Sequence, residues 1–568
     1  MENKKMISFR SPLINVFLCL LLGGIVMSCK NNSTGPNKPP MREFTPAGML
    51  HVNSGISKVK LSWNPALYTS KDSSVAYTVI VSKDSLFKAD TLITAVTDTA
   101  GITFTTDTLQ AHQKYFAKVR TNKVGNRPAS HWTPSQSFSI RGRQIFLPVY
   151  GPNIKSTSAT LMWQDTVKNL ATIKLQKLQG KINPKPVGSK KTVNITSQDM
   201  QSGSITINNL NPKTRYRADI FQNKKNGKGT LSVGLTSFMT KAKLHFTKIV
   251  SPGGDLQSAI DNSANGAVIG VKPGTYSINS VELKGKSITL ASTTRDPSTT
   301  KINFEKFQLK NTGAGIKFIG LNLDGNGNSY FINLVSSNGD SDPAHFKNII
   351  VDNCYVHNTT HTVLRGDRGN NSAYSIDTLR INHSKMYKEK VAGYNYFTLG
   401  GVKIHSIQLL NTTFYKVARK FIGWGKKLDS EPKTEPTIII DHCTINSFGA
   451  DGKDNLVLDA GHNPVNFKME NTIMANIPLP GRSVESPLLK AEGPGSHVRV
   501  SNNDFFKLTN GSGKKLTWPS YSYMTMVNNR HIDLGWGSST TDFTLPKSSQ
   551  LRTLSTSGGP IGDPRWFY

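Results

Sequence analysis

A repeat of about thirty residues runs through the second half of the chain and restricts the folds open to it. Six segments align in one register: IIVDNCYV, LRINHSKM, IQLLNTTF, IIIDHCTI, FKMENTIM and VRVSNNDF. Their fifth residues are Asn353, His383, Asn411, His442, Asn471 and Asn502, at spacings of 30, 28, 31, 29 and 31. The sixth residue is small or polar, and a large apolar residue returns two positions later. Self-similarity at this period predicts a solenoid.

The repeated segments have the length of strands, and a polar position that recurs once per repeat predicts the bend of a parallel β-helix. We expect the Asn and His side chains at the fifth position to form a ladder of hydrogen bonds along the axis. This prediction assigns His383 and His442 to the ladder, with a catalytic or metal-binding role as the alternative. Cys354 and Cys443 lie three coils apart in this register, so we expect two buried free thiols.

The region before the repeat supplies a start for such a fold. The segment DLQSAIDNSANGAVIGVKPGTYSI, residues 255–278, combines an amphipathic helix with a strand that ends in Pro-Gly-Thr-Tyr. It resembles the helical cap and first coil of pectate-lyase-like and chondroitinase B-like right-handed parallel β-helices. The resemblance covers residues 242–568 and includes the terminal IGDPRWFY, which is similar to the segment that closes several such lipoprotein domains of glycan-degrading bacteria. It implies the fold, which lyases and binding proteins share.

The preceding two hundred or so residues read as two small β-sandwiches, over 42–140 and 141–241, with short alternating strands between turn residues. Each contains a strand with an inward tryptophan, Trp63 in VKLSWNP and Trp163 in ATLMWQD. The predicted fold class is therefore all-β, with two sandwiches followed by a right-handed parallel β-helix. We expect the sandwiches to serve as a stalk, and glycan binding by them is the alternative.

A tyrosine motif relates both sandwiches to a known family. The sequence LNPKTRY, which ends at Tyr216, resembles the signature of fibronectin type III modules, and the first copy, which ends at Tyr115, is looser. The resemblance implies a tyrosine corner, in which the hydroxyl bonds to the backbone near the preceding corner.

The N-terminus predicts export. A basic MENKKMISFR precedes an apolar LINVFLCLLLGGIV, which is typical of a signal peptide over residues 1–28. The following VMSC resembles a bacterial lipoprotein cleavage site and implies that Cys29 is lipidated, although Met27 replaces the usual small residue. The alternative is an ordinary secretory signal. Residues 29–41 are predicted to be a flexible tether. The expected location is the outer membrane, facing the cell exterior.

The charge of the chain predicts a polyanionic partner. The sequence has 69 Lys and Arg against 36 Asp and Glu, a formal charge of +33. Such a charge attracts nucleic acid, anionic lipid or acidic polysaccharide. An exported protein does not meet nucleic acid, so we expect an anionic polysaccharide as the partner. We also expect the protein to be a monomer. The four cysteines are too few for a disulfide framework or a Cys-rich zinc site.

Much of the positive charge falls within a few coils. From His383 to Lys427 there are nine Lys or Arg residues and one acid, Glu389. Stacking the coils predicts two columns of residues at the outer turn. The first column contains Asn358, Lys388 and Lys416, and the second contains His361, Tyr396 and Lys420. A cationic stripe across parallel coils would suit an extended anionic polymer, and a merely solvated charged face is the alternative.

The stripe also has the residue types that β-elimination on a uronate requires. The reaction needs cations that neutralise the carboxylate, a base for the C5 proton and a donor for the leaving oxygen. The predicted catalytic residues are Lys420, Arg419, Tyr396 and His361. The predicted substrate-binding residues are Arg365, Lys388, Lys390, Tyr394, Lys416 and Lys426. An exposed stripe predicts that replacing Lys420 or Arg419 leaves folding intact and abolishes turnover or binding.

These residues predict a polysaccharide lyase, acting on a glycosaminoglycan such as chondroitin sulfate first and on pectate or alginate next. The alternatives are a non-catalytic surface glycan-binding lipoprotein and a structural adhesin. We expect no cofactor, with a bound calcium ion as the alternative. The loop from Asp324 to Asn328 has the form of a ligand loop but is predicted to be a turn, and Asp451 and Asp454 are the other candidates.

Overall fold

The computed structural model describes residues 41–67, 75–88, 92–180, 182–224, 229–337, 342–367, 373–387, 394–428 and 435–567. The chain divides into two compact units between Arg143 and Gln144. The predicted signal peptide, Cys29, most of the tether, Lys388 and Lys390 lie outside the described residues. No helix in the described part of the chain is long and apolar enough to cross a membrane.

The first unit is a β-sandwich of two antiparallel sheets. One sheet contains Pro46–Ser54, Lys58–Ala66 and Gly101–Thr105, and the other contains Ile93–Thr97, Tyr77–Ser82, Phe116–Thr121 and Thr133–Pro134. Trp63 is buried between them. The Tyr115 hydroxyl accepts a hydrogen bond of 3.0 Å from the Gln110 N–H, which confirms the tyrosine corner.

The second unit begins with a sandwich of the same kind. Its four-stranded sheet contains Lys185–Asn194, Leu170–Gln179, Arg215–Asn223 and Thr230–Met239, and Ala159–Met162 pairs with Ser204–Ile207 opposite. The turn Gly151–Asn153 and the helix Ser197–Ser202 complete it. Trp163 is buried, and the Tyr216 hydroxyl accepts from the Asn211 N–H at 2.9 Å. The fibronectin type III-like fold predicted for both sandwiches is confirmed.

The rest of the second unit is the predicted right-handed parallel β-helix, built from three parallel sheets. Sheet 1 contains Lys248–Val250, Val268–Val271, Ser287–Ser292, Gly315–Ile319, Ala344–Phe346, Ile349–Asp352, Tyr374–Asn382, Lys403–Leu410, Thr437–Asp441, Asn466–Glu470, His497–Ser501 and Met524–Val527. Sheet 2 contains Gly274–Ile278, Thr300–Phe304, Asn322–Asp324, Tyr355–His357, Lys385–Tyr387, Thr413–Tyr415, Thr444–Asn446, Ile473–Ile477 and Asp504–Leu508. Sheet 3 contains Val281–Lys284, Phe307–Lys310, Tyr330–Val335, Thr362–Arg365, Phe397–Thr398, Ile422–Gly423, Leu458–Asp459 and Leu489–Lys490.

A short helix covers the N-terminal end of the β-helix, as the sequence predicts. It spans Leu256–Asp261 and begins where the Asp255 side chain accepts a hydrogen bond from the Ser258 N–H. The helix buries Leu256, Ala259 and Ile260 against the first coil. Apolar residues that would be exposed at the open end of the coils are therefore covered.

The bend from sheet 1 to sheet 2 forms at the fifth repeat position, but the ladder predicted there is wrong. All six residues at this position have a left-handed backbone, with φ between 48° and 54°. Asn and His tolerate this conformation better than β-branched residues do, which explains why they recur. Their side chains do not bond to one another. The Nδ2 atom of Asn411 donates instead to Oδ1 of Asn382 at 3.0 Å, and Nδ1 of His442 lies 2.8 Å from Oδ1 of Asp441.

The ladder exists one residue later, at the sixth position, where the side chains are buried. There a side-chain oxygen of one coil accepts a hydrogen bond from the backbone N–H of the coil before it. The pairs are Cys354 N–H to Ser384 Oγ (3.1 Å), Ser384 N–H to Thr412 Oγ1 (3.2 Å), Cys443 N–H to Thr472 Oγ1 (3.2 Å) and Thr472 N–H to Asn503 Oδ1 (2.9 Å). The two cysteines in this column are buried and free, as predicted.

The C-terminal segment folds back over the outer face of sheet 2. Apolar residues of both form one cluster: Tyr415, Ile473, Ala475, Phe506, Trp536, Phe543, Leu545, Leu551 and Ile561. Gly562 has φ of +90° and lies against sheet 2 so closely that a Cβ would be 2.8 Å from Cδ1 of Ile473. The buried Asp563 accepts a hydrogen bond from Thr413 Oγ1 at 2.7 Å. The IGDPRWFY motif thus closes the fold along its side.

Candidate functional site

A partly exposed column of side chains lies where the chain enters sheet 3. The strand register pairs Leu364 with Phe397 and Phe397 with Ile422, which aligns the residues three positions before them: His361, Tyr394 and Arg419. The rings of His361 and Tyr394 are 4.8 Å apart. The Arg419 N–H donates to the Tyr394 carbonyl at 3.3 Å. Three successive coils therefore contribute one residue each to this column.

Two further residues adjoin the column, Tyr330 from the preceding coil and Arg365 from the strand that follows His361. The Tyr330 ring lies 5.6 Å from the His361 ring, and the Arg365 guanidinium lies 5.2 Å from the centre of the Tyr330 ring. Tyr394 is 43% exposed. The Nε atom of Arg419 is buried and has no hydrogen-bond acceptor in the described structure. We call Tyr330, His361, Tyr394, Arg365 and Arg419 the ring column.

Tyr396 does not belong to this column, so its predicted place on the outer face is wrong. It is 1% exposed, and its ring stacks on that of Phe421 at 5.8 Å inside the β-helix. The prediction took the residue directly before each second strand, which is His361 before Thr362 and Tyr396 before Phe397. The register pairs Phe397 with Leu364 rather than with Thr362, so Tyr394 is the equivalent of His361.

Lys420 is also not an exposed cation, contrary to the prediction. It is 8% exposed, and its Nζ lies 3.0 Å from Asp459 Oδ2 and 3.5 Å from Asp454 Oδ1. Lys426 lies 3.9 Å from Asp367 Oδ1. These three acids lie outside the stretch from His383 to Lys427 that looked purely basic. Neighbouring coils place these acids next to Lys420 and Lys426, so this part of the surface carries both positive and negative charges.

The other predicted column agrees with the structure in the part that is described. The register places Asn358 and Lys416 at equivalent positions, two coils apart, and both have a left-handed backbone with φ of 61° and 55°. The position between them is Lys388, which lies outside the described residues. Lys416 is partly exposed and lies close in sequence to Arg419. Lys416 therefore belongs to a different column and can add only a neighbouring positive charge to the ring column.

The loop considered for calcium is a turn held by a lysine. Asp324 accepts from Lys301 Nζ at 2.9 Å, from the Asn326 N–H at 2.9 Å and from Asn358 Nδ2 at 2.9 Å. Although burial raises the pKa of Asp324, these hydrogen bonds outweigh it, and the pKa lies below its usual value. In the described ranges, no three His, Cys, Asp or Glu residues are grouped as metal ligands.

The other two calcium candidates are also engaged with cations. Asp451 Oδ1 lies 3.6 Å from Arg482 Nη1, and Asp454 pairs with Lys420. Sequence reasoning missed Tyr330, because it lies one coil before the first aligned repeat. Its signal was its place as the first residue of the strand YFINLV, where the register pairs it with Thr362, the first residue of TVLR.

Comparison with known proteins finds similarity to solved structures of fibronectin type III domains. No family model matches the chain, and no curated protein matches it. It is similar to the chicken CNTN1 FN1–FN3 domains (15% identity, 36% of this chain and 66% of that one, TM-score 0.15). It is also similar to a segment of two fibronectin type III domains from chicken tenascin (16% identity, 35% and 99%, TM-score 0.17). With such TM-scores these matches add no argument, and the fold rests on the strand pairing and tyrosine corners described above.

Proposed function

We propose that the chain is a polysaccharide lyase that acts on an anionic, uronic-acid-containing polysaccharide. The observation that carries the proposal is the ring column, in which rings on three successive coils lie beside the Arg365 guanidinium, and Arg419 on the next coil bonds through its N–H to the Tyr394 carbonyl. Aromatic faces stack on sugar rings, and arginine binds carboxylates with two parallel hydrogen bonds. The parallel β-helix is a fold that polysaccharide lyases share, and this supports the reaction class as an analogy.

The residues of the column can be assigned to the steps of β-elimination. Arg365 and Arg419 neutralise the uronate carboxylate, so that the charge developing at C5 is tolerated. His361 Nδ1 lies 3.0 Å from Thr360 Oγ1, and when Nδ1–H donates to that oxygen, Nε2 is left to accept the C5 proton. A C4–C5 double bond forms, the bond from C4 to oxygen breaks, and the Tyr394 hydroxyl protonates the leaving oxygen.

The proposed substrate is a sulfated glycosaminoglycan such as chondroitin sulfate, followed by pectate and alginate. The formal charge of +33 favours a polymer that carries sulfate as well as carboxylate. The second candidate is a non-catalytic, surface glycan-binding protein. It is favoured by the burial of Tyr396 and the neutralisation of Lys420, because a binding surface needs the rings and arginines but no proton transfer.

The proposed location is the outer surface of the outer membrane, with Cys29 lipidated. The sequence around Cys29 is the support for this part of the proposal. We expect a Cys29→Ser variant to lose incorporation of a labelled fatty acid and to move from the membrane fraction to the soluble fraction. Retention of the label by this variant would contradict the assignment of Cys29.

The test is the formation of unsaturated uronate from each polymer by wild type and by variants of the ring column. We expect His361→Ala to lower turnover by about a hundredfold or more while leaving polymer binding and the melting temperature nearly unchanged. The matched control is His405→Ala, which removes an exposed histidine from sheet 1. It should retain full activity.

Tyr394 separates the two candidate functions. Tyr394→Phe keeps the ring and should bind the polymer but lose turnover, whereas Tyr394→Ala should lose both. Wild-type protein that retards in a gel containing chondroitin sulfate, without forming any unsaturated product from the uronate polymers, would contradict the lyase and leave the binding protein. Wild-type protein that neither binds nor cleaves would exclude both candidates.

A further inference from the structure

A second cationic site lies between the second sandwich and the β-helix, on the side of sheet 2. It is a cavity of about 550 Å³, which is within the usual size range for small-ligand pockets. Four cations line it, Lys155, Arg295, Lys385 and Arg565, together with the aromatic residues Tyr150, Tyr355 and Trp566. One acid, Asp296, is among the lining residues, and it accepts hydrogen bonds from the backbone and hydroxyl of Ser298.

Lys385 projects from sheet 2 into a group of rings rather than toward a carboxylate. Its Nζ lies 5.3 Å from the centre of the Tyr355 ring, 5.8 Å from that of Tyr387 and 5.3 Å from that of Trp566. Within the described residues it makes no hydrogen bond and no ion pair. Burial and the nearby Arg565 lower the pKa of Lys385, and the more distant charges of Asp563 and Asp542 raise it without outweighing them. An anion bound beside Lys385 would therefore stabilise its charged form.

Arg565 supplies a second, well-fixed cation. Its side chain is 15% exposed, its Nη2 donates to the His383 carbonyl at 2.6 Å, and its Nε lies 3.5 Å from Asp563 Oδ2. In the described structure no acceptor bonds to Nη1. The guanidinium carbon lies 5.7 Å from the centre of the Tyr355 ring. Lys385 and Arg565 therefore flank the same ring and repel each other unless an anion lies between them.

We propose that this cavity binds an acidic sugar, with its carboxylate or sulfate group between Lys385 and Arg565 and its ring against Tyr355 or Trp566. Charge-assisted hydrogen bonds to an anion would satisfy both cations, and the aromatic faces suit a sugar ring. The cavity is separate from the ring column, which lies at the entry to sheet 3. It would therefore hold a saccharide whether or not the ring column is catalytic.

A larger cavity elsewhere in the β-helix differs from this one in that its lining cations are already paired with acids. It has a volume of about 960 Å³ and includes Arg482 and Lys507. Arg482 lies 3.6 Å from Asp451, and Lys507 lies 3.2 Å from Asp533 and donates to the Trp536 carbonyl. These cations already have an acid at ion-pair distance, whereas Lys385 has none at that distance among the described residues.

The test is calorimetric titration of the full mature chain with sodium glucuronate, a sulfated chondroitin disaccharide, inorganic sulfate and glucose. We expect the two acidic sugars to bind and glucose not to bind. Lys385→Met keeps the aliphatic stem but removes the charge, and it should weaken binding by about tenfold or more. Lys155→Met should weaken it less. The matched control Lys248→Met replaces an exposed strand lysine of sheet 1 and should bind as wild type does.

Each other outcome contradicts the proposal. Equal binding of inorganic sulfate and of the sugars would mean an adventitious ion only. Binding of acidic sugars that Lys385→Met leaves unchanged, but Arg365→Met abolishes, would place the saccharide on the ring column alone. Absence of binding by wild type would remove the site, and cleavage of polymer by that same protein would still leave the lyase proposal standing.

Discussion

The Nζ atom of Lys420 lies 3.0 Å from Oδ2 of Asp459, and this ion pair joins two successive coils of the β-helix. Lys420 is buried among residues that enter sheet 3, and Asp454 adds a second carboxylate at 3.5 Å. The cation that looked available for a polymer is therefore part of the packing between coils. This changes the expected effect of replacing it.

We predict that Lys420→Met lowers the free energy of unfolding by about 2–3 kcal/mol, because the variant leaves Asp459 without its partner in a mostly buried place. The double variant Lys420→Met with Asp459→Asn should recover part of the loss. The control Lys426→Met breaks a looser, more exposed pair and should cost less than about 1 kcal/mol. Chemical denaturation measures all three. An equal, small effect of both lysine variants would mean that Lys420 is only a surface charge.

We predict that Asn411→Ala destabilises the protein more than Asn411→Gly does. Both variants lose the hydrogen bond to Asn382, but alanine must also adopt a left-handed backbone, with φ of 48°, at a cost of about 1–2 kcal/mol. In an ordinary strand the order is the reverse, because glycine is the weaker strand former. Thermal melts of the two variants decide the order. A more stable alanine variant would show that the bend does not depend on backbone conformation.

We predict that Thr412→Val lowers the free energy of unfolding by about 1–3 kcal/mol, although valine has nearly the same shape. The hydroxyl accepts from the Ser384 N–H at 3.2 Å and donates to the Leu410 carbonyl at 2.7 Å. The variant leaves the buried Ser384 N–H unpaired, whereas the Leu410 carbonyl keeps the hydrogen bond from the His383 N–H. The control Thr275→Val lies on an exposed position of sheet 2 and should change stability by less than about 0.5 kcal/mol. Equal stability of both variants would contradict the hydroxyl ladder.

Asp504 predicts a pH dependence of stability. Burial raises its pKa from 3.8 to about 6, and its Oδ2 has no hydrogen-bond partner in the described structure. Because the folded pKa is above the unfolded value, the folded state binds the extra proton, and this contribution is lost as the pH rises through about 6. Relative to Asp504→Asn, the wild type should lose up to about 3 kcal/mol between pH 4 and pH 7. Denaturation at several pH values measures the difference, and a constant difference would contradict the raised pKa.

The fold could be predicted from the sequence because the repeat is local and nearly regular. Six apolar segments at almost constant spacing leave few alternatives to a β-helix. The position of the ladder could not be predicted in the same way. Asn recurs at the fifth position because it tolerates a left-handed backbone. Asn is also a good hydrogen-bonding residue, so the residue type alone does not show which of the two roles it has.

The candidate site was harder to predict because it depends on loop lengths and on contacts between coils. The segment between the bend and Phe397 is three residues longer than in the neighbouring coils. With this loop length Tyr394, rather than Tyr396, lies beside His361. The acid that neutralises Lys420 lies 39 residues further along the chain. Such neighbours become visible only when the coils are stacked in the correct register.

The C-terminal segment that covers sheet 2 has a consequence for how the protein folds. A repeat array whose coils touch only their neighbours can gain structure step by step, with low contact order. Here Arg565 bonds to a residue 182 positions earlier and Trp566 to one 153 positions earlier. The central coils therefore acquire their outer cover only after nearly all of the described chain has been synthesised. Their final packing should be slow, and it should melt together with the C-terminal segment rather than coil by coil.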